Sequence, residues 1–186
     1  MLRKRLLLVT GSPGIGKTTV LVRVVEALKS KGYGVGGMIS REVRSGGNRV
    51  GFEILDLKSG KRGWLASVGR QWGAQVGRYR VNLSDLNDVG VKAVVEADHS
   101  LDAVIVDEIG PMELLSNKFR EAVAKVAEGR KLAICTIHWK MRSSLIEEVK
   151  KREDAEIFVV TYENRENLPQ TMVAKAVDFL SGTNAQ

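Results

Sequence analysis

The sequence predicts an α/β fold: a mainly parallel sheet with helices on both faces and one antiparallel β-hairpin inserted into it. Three observations carry this reading. Short runs rich in Val, Ile and Leu alternate with longer segments whose apolar residues recur at helical spacing, the pattern of strand–helix units that stack side by side. The run Asp102-Ala103-Val104-Ile105-Val106-Asp107 is apolar at every position between its two acids, as a strand covered on both faces must be. Residues 36–67 break the alternation with two strand-like runs and turn residues between and after them, the mark of a hairpin.

Taken in order, residues 5–10 form the first apolar run, a glycine-rich turn follows, and residues 18–31 place Val20, Val24, Ala27 and Leu28 at helical spacing. The insertion at 36–67 comprises residues 38–43, the turn Ser45-Gly46-Gly47, residues 50–55, and a second turn at Ser59-Gly60. After a Gly- and Arg-rich stretch at 69–80, Ser84 and Asp85 read as a helix cap. Leu86, Val89, Ala93, Val94 and Ala97 follow it at mixed three- and four-residue spacing. The strand at 102–107 comes next, and Pro111 suits the first position of a helix carrying Met112, Leu115, Phe119, Val123 and Val126. Runs at 132–137 and 157–160 supply two further strands, followed by helical patterns at 143–151 and 169–180. No internal repeat and no linker divides the chain, so residues 1–186 read as one domain.

With 44% hydrophobic and 27% charged residues the chain reads as soluble and globular. A net charge of +7 favours acidic partners, and free nucleotides and nucleic acid both qualify. The basic residues are interleaved with acids along the whole chain, so we expect solvated faces and no nucleic-acid-binding stripe. The single cysteine, Cys135, lies in an apolar run and reads as a small buried hydrophobe, which fits a reducing, cytoplasmic setting. The basic start at residues 3–5 is followed by too short an apolar run for an export signal, and no later run is long enough to span a membrane. A monomer or weak oligomer is expected.

The strongest chemical signal is Gly11-Ser12-Pro13-Gly14-Ile15-Gly16-Lys17-Thr18, between a predicted strand and a predicted helix. A triphosphate is a dense anion. Gly11, Gly14 and Gly16 let the backbone approach it with N–H donors, while the helix beginning at Lys17 and Thr18 aims its positive end at the charge. Lys17 reaches the β- and γ-phosphates, the Thr18 hydroxyl binds Mg²⁺, and Thr19 completes the nucleotide-binding run. Such a P-loop needs a second acidic element. Asp107 ends the most apolar strand, where its carboxylate can hold a Mg²⁺-bound water, and Glu108 beside it can orient and deprotonate an attacking water. No His or Cys cluster suggests a transition metal, so Mg²⁺ is the only metal expected.

The chain resembles the thermostable nucleoside-triphosphatases, whose animal relative is called cancer-related nucleoside-triphosphatase. The resemblance rests on the phosphate loop through Thr19, on the stretch from Glu42 through Arg44, Gly46, Gly47 and Arg49 to Phe52, on Asp107-Glu108-Ile109-Gly110-Pro111-Met112-Glu113, and on Thr161-Tyr162-Glu163-Asn164-Arg165. It implies a RecA-like P-loop NTPase sheet in which the strand ending at Thr136 lies between the loop strand and the Asp107 strand. It also implies hydrolysis of several triphosphates (ATP, GTP, CTP, UTP or TTP) with little discrimination between bases.

Other residues keep two readings each. Thr136 and His138 follow a buried strand, where they sense the γ-phosphate or serve as a satisfied strand-end hydroxyl and a surface imidazole. Arg41, Arg44, Arg78 and Arg142 are candidates for stabilising transition-state charge, in cis or across a subunit contact. Asn164 and Arg165 approach the base or cap the final helix, while Trp64, Trp72 and Trp139 read as packing residues. Two other functions share these motifs: a nucleotide or nucleoside kinase with a lid at 69–80, and a nucleotide-regulated nucleic-acid-binding protein. Glu108 argues against the first, and only the basic charge favours the second.

Overall fold

The computed structural model of the protein describes residues 3–183. Nine strands form one sheet: β1 (Leu6–Thr10), β2 (Val35–Ser45), β3 (Asn48–Asp56), β4 (Arg62–Ser67), β5 (Gln75–Val76), β6 (Tyr79–Val81), β7 (Ala103–Ile109), β8 (Leu132–Ile137) and β9 (Ala155–Val159). Their order is β5-β6-β4-β3-β2-β7-β8-β1-β9. The pairs β2–β7, β7–β8, β8–β1 and β1–β9 are parallel, and those from β2 through β3, β4 and β6 to β5 are antiparallel. The strand ending at Thr136 therefore lies between the loop strand and the Asp107 strand, as the resemblance implied.

The central strands alternate their side chains between two cores, which is why they are apolar at every position. Leu6, Leu8, Val104, Val106, Ala133 and Cys135 join one core with Leu86, Val94, Phe119, Val123 and Ile146. Leu7, Val9, Ile105 and Ile134 join the other with Val20, Leu21, Val24, Leu28 and Met172. Helices α1 (Lys17–Ser30) and α6 (Leu168–Thr183) thus cover one face, and α3 (Lys92–Ser100), α4 (Asn117–Glu128) and α5 (Ser144–Lys151) the other.

Three elements differ from the sequence expectation. The hairpin expected at 36–67 starts as a central strand: Val35 to Met38 pair parallel with β7, and only then does β2 turn antiparallel to β3. Gly37 permits this, because a Cβ there would fall 2.1 Å from the Ile105 carbonyl oxygen. The antiparallel part also runs past residue 67, since the stretch at 69–80 contributes the small hairpin β5–β6 at the sheet edge. Around residues 83–100, Asn82 is the cap that accepts from the Asp85 amide at 3.3 Å. The short turn α2 (Leu83–Asp85) then leads into a π-helical stretch, Leu86–Val91, before α3. The extra residue per turn shifts the apolar phase, which accounts for the mixed spacing in the sequence. Finally, Pro111 begins only a turn that ends in a 3₁₀ segment, Glu113–Leu115. The α-helix starts after Ser116, whose hydroxyl accepts from the Phe119 amide at 3.1 Å and donates to Asn87 Oδ1 at 2.6 Å.

At the amino ends of the strands, Arg5 is 4% exposed. Its Nε pairs with Asp154 at 2.7 Å, one terminal nitrogen donates to the Val126 and Lys131 carbonyls at 3.1 Å each, and the other donates to the Ala127 carbonyl. A residue that reads as part of a basic leader is thus a clamp between β1, the end of α4 and the start of β9. Cys135 is buried and its thiol is pushed up to about 12, the expected inert hydrophobe. Among the described residues, no helix is long and apolar enough to cross a membrane.

Candidate active site

Parallel strands deliver their carboxyl ends to one edge, and β1, β7 and β8 bring the phosphate loop, the acid pair and Thr136 together there. Between β1 and α1, Gly11, Gly14 and Gly16 take φ of +151°, +77° and +109°. At Gly11 a Cβ would also meet the Val160 carbonyl oxygen at 2.9 Å, so the loop's first residue is fixed by the neighbouring strand end. No side chain caps the first turn of α1 and no acid lies in it, so its positive end stays available to an anion. Ile15 is buried and its amide donates to the Ser12 carbonyl at 3.2 Å, while Pro13, Gly14, Gly16, Lys17, Thr18 and Thr19 line a cavity of about 450 Å³. Lys17 Nζ donates to the Gly11 carbonyl at 3.2 Å and so lies folded over the loop it serves.

Opposite the loop, the pairing register between β7 and β8 shifts between Val106 and Ile109, and Asp107 and Glu108 occupy that irregularity. The peptide bond between them is cis. A bulge re-aims consecutive side chains that a regular strand would send to opposite faces. Asp107 is 2% exposed, accepts from the Thr18 hydroxyl at 2.8 Å through Oδ2, and accepts from the Thr136 hydroxyl at 2.5 Å through Oδ1. Burial pushes its carboxyl above the ordinary aspartate value, against the pull of both hydroxyls and the Lys17 charge. Glu108 lines the cavity, and its Oε1 is buried with no hydrogen-bond partner in the protein. Burial pushes this carboxyl up as well; the Lys17 ammonium opposes the rise and Asp107 adds to it.

A family model described as NTPase matches residues 6–173. The chain belongs to this NTPase family. Nucleoside-triphosphatase THEP1 of Thermofilum pendens is 43% identical over 175 residues, 94% of this chain and 96% of the relative. THEP1 of Methanothermobacter thermautotrophicus is 44% identical over 162 residues, 87% and 90% of the two chains. Among solved structures, the crystal structure of THEP1 from Aquifex aeolicus superposes with a TM-score of 0.80 at 28% identity, covering 91% of this chain and 97% of that one. The solution structure of a human cancer-related nucleoside triphosphatase gives 0.79 at 36% identity, with 92% and 96% covered.

In this NTPase-family chain the remaining sequence candidates divide sharply. Thr136 is fully buried and its hydroxyl donates to Asp107 Oδ1, the geometry of a satisfied strand-end hydroxyl. His138 lines the cavity. Its Nδ1 accepts from the Met141 amide at 3.1 Å, which leaves Nε2 to carry the proton, and burial together with the Lys17 charge pulls the imidazole below its ordinary value. The arginines chosen from sequence lie elsewhere. Arg44 is exposed and holds Glu42 and the Gly47 carbonyl, and Arg78 lies on the Tyr79 ring and donates to the Arg49 carbonyl at 2.7 Å. Arg142 is exposed in the loop before α5, and Arg41 lines a different, smaller pocket beside α1. Asn164 is occupied within its own turn, accepting from the Thr161 amide at 2.9 Å and donating to the Val159 carbonyl at 2.8 Å. Arg165 stacks over the exposed Tyr162 ring at 5.1 Å, on the loop whose Val160 carbonyl abuts Gly11.

Sequence reasoning gave no site role to Ser40, Glu42, Arg49, Phe52, Met112 or Glu113, all of which line the cavity, and it read Trp139, which also lines it, as packing. Glu113 is 5% exposed, and burial, with backbone donors acting against it, pushes its carboxyl up to about 8. The available signal was the turn Gly46-Gly47, which folds Arg49 back beside Glu42.

Proposed function

We propose that the protein is a Mg²⁺-dependent nucleoside-triphosphate phosphohydrolase that transfers the γ-phosphoryl group to water and accepts several bases, ATP and GTP among them. One observation carries the reading: a buried, unpartnered carboxylate oxygen on Glu108 lines the same cavity as the phosphate loop. In this reading the loop amides and Lys17 hold the triphosphate. Thr18 and, through a water, Asp107 would hold the metal. A hydroxyl and a carboxylate 2.8 Å apart form the hard oxygen donor set that Mg²⁺ uses beside phosphates and waters, so these residues fit it. When bound, Mg²⁺ supplies neutralisation of charge on the β- and γ-oxygens.

Glu108 then accepts a hydrogen bond from the attacking water and takes its proton as the water oxygen bonds to the γ-phosphorus. The bond from phosphorus to the β-bridging oxygen breaks with its electron pair left on the diphosphate. The raised pKa of Glu108 makes it a better proton acceptor than a free glutamate. The His138 Nε2–H is a donor available to the γ-phosphate. Beyond the loop, the Tyr162–Arg165 stack offers a π-face and a cation to any base, which supports weak base discrimination. The buried free cysteine is consistent with the cytoplasm, and a monomer or weak oligomer completes the proposal.

A kinase reading has one observation in its favour: the cavity continues from Glu108 to Phe52, Leu65 and Val76, more apolar space than a water needs. The test separates the two. γ-Labelled NTP with Mg²⁺, alone and with nucleosides or nucleoside monophosphates, should yield free phosphate at a rate the additions barely change. Glu108→Gln should keep triphosphate affinity and lose about 10²–10⁴-fold in turnover. Label collecting in one acceptor, with slow release in its absence, would make the protein a kinase.

A further inference from the structure

The groups described so far approach the triphosphate from the loop and from β7, and they leave the wall formed by β2 and β3 without a role. Among the described residues lining the cavity, Lys17 and Arg49 are the only permanent cations, and they come from different walls. Arg49 lies near the start of β3, just after the turn Gly46-Gly47. Its guanidinium packs 5.4 Å from the Phe52 ring centroid and is paired with Glu42 on the neighbouring strand. Its backbone carbonyl is pinned by Arg78 Nη2 at 2.7 Å. Its Nε, however, is buried and has no hydrogen-bond partner.

That orphaned donor is informative. A desolvated N–H of a charged group without an acceptor is unfavourable, more so than for a neutral group, and a guanidinium cannot relieve the cost by giving up its proton. The deficit disappears when an anion enters the cavity. A loose phosphoryl-transfer transition state spreads negative charge over the three γ-oxygens, and a planar fork of donors matches two such oxygens where an ammonium meets only one. Glu42 and Phe52 hold the fork on the cavity wall before the substrate arrives.

We propose that Arg49 is a catalytic residue, the cis-acting arginine of this site, whose guanidinium leaves Glu42 and forks onto the γ-phosphoryl oxygens on the side opposite Lys17. This rests on the phosphoryl-transfer reading of the cavity. Arg49 moves no proton: the water proton goes to Glu108, the electron pair of the broken bond stays on the diphosphate, and Arg49 contributes charge and two donors. It takes the place that sequence inspection gave to Arg41, Arg44, Arg78 or Arg142.

The experiment compares wild type, Arg49→Ala, Arg49→Lys and Arg44→Ala. Three quantities are measured: the single-turnover rate, the affinity for a non-hydrolysable triphosphate with Mg²⁺, and the affinity for nucleoside diphosphate with Mg²⁺ and aluminium fluoride, which mimics the transferring group. Arg49→Ala should lower the rate and the fluoroaluminate affinity by about 10²–10³-fold, with triphosphate affinity near wild type. Arg49→Lys should recover part of both losses, because it keeps the charge and lacks the fork. Arg44→Ala removes a partner of the same Glu42 from outside the cavity and should change neither. An Arg49→Ala protein with the wild-type rate and fluoroaluminate affinity overturns the proposal. So does an equal loss of triphosphate and fluoroaluminate affinity, or an Arg44→Ala protein that reproduces the loss. Wild type that transfers phosphate only to an added acceptor would instead sink the hydrolytic reading, and the fluoroaluminate measurement would still judge Arg49.

Discussion

Replacing Thr136 by valine exchanges a hydroxyl for a methyl group at a fully buried position and leaves the side-chain shape nearly unchanged. The hydroxyl donates to Asp107 Oδ1 at 2.5 Å, a short, charge-assisted bond to a carboxylate whose other oxygen is held by Thr18. Burial already works against the charge of Asp107, and the Thr136 bond is the largest of the influences that oppose burial. A hydrogen bond to a charged group contributes about 1.5–3 kcal/mol, and every 1.4 kcal/mol is about tenfold in an equilibrium constant. Thr136→Val should therefore weaken Mg²⁺ binding about 10–100-fold, the range found when a group supporting a metal-holding residue is lost. The assay is the Mg²⁺ concentration giving half-maximal phosphate release at saturating NTP, with circular dichroism to confirm the fold. Thr136→Ser, which restores the hydroxyl, should restore the midpoint. A valine variant with the wild-type Mg²⁺ midpoint would refute the reasoning and leave Thr136 as no more than a satisfied strand-end hydroxyl.

Two further expectations concern stability. Glu113 titrates at about 8 in the folded protein and near 4.5 when unfolded, so the folded state retains a proton that the unfolded chain has lost. The contribution of Glu113 should be fully present below about pH 4.5 and be lost, by up to about 5 kcal/mol, as pH rises to about 8. Urea unfolding of Glu113→Gln should lack that slope, and parallel pH profiles for the two proteins would show the assignment to be wrong. Arg5→Met should cost about 1–3 kcal/mol by leaving the buried carbonyls of Val126, Ala127 and Lys131 without the guanidinium, while Asp154 keeps its pair with Arg152. Because the clamp lies at the opposite end of β1 from the phosphate loop, kcat measured well below the unfolding transition should stay at wild type. An unmoved urea midpoint would remove the clamp's importance.

Most of the central sheet was legible because its signals are local. The continuous apolar runs of β1, β7 and β8 follow from burial on both faces, and each strand is separated from the next by a helix with its own period. The antiparallel part was read less well. Its register is set by which strand happens to be the neighbour, and β2 serves two neighbours in succession, parallel β7 and antiparallel β3. The start of α4 was misplaced because Pro111 and Ser116 are both acceptable starts, and Ser116 won through a bond to Asn87, 29 residues away.

The sequence by itself determined the phosphate loop, the acid pair at a strand end and the pairing of these with a helix terminus. There the chemistry depends on residues within a few positions of one another, and spacing along the chain is spacing in space. Only the tertiary structure decided what surrounds them. It gave Thr136 to Asp107, buried Glu113, turned Arg5 into a clamp, and set Arg49, from the hairpin, in the cavity wall facing the loop. Arginines at 41, 44, 49, 78 and 142 are chemically alike as letters. Which one meets a phosphate depends on strand register, on the turn at Gly46-Gly47 and on the bulge at Asp107-Glu108, and each of these joins segments far apart in the chain.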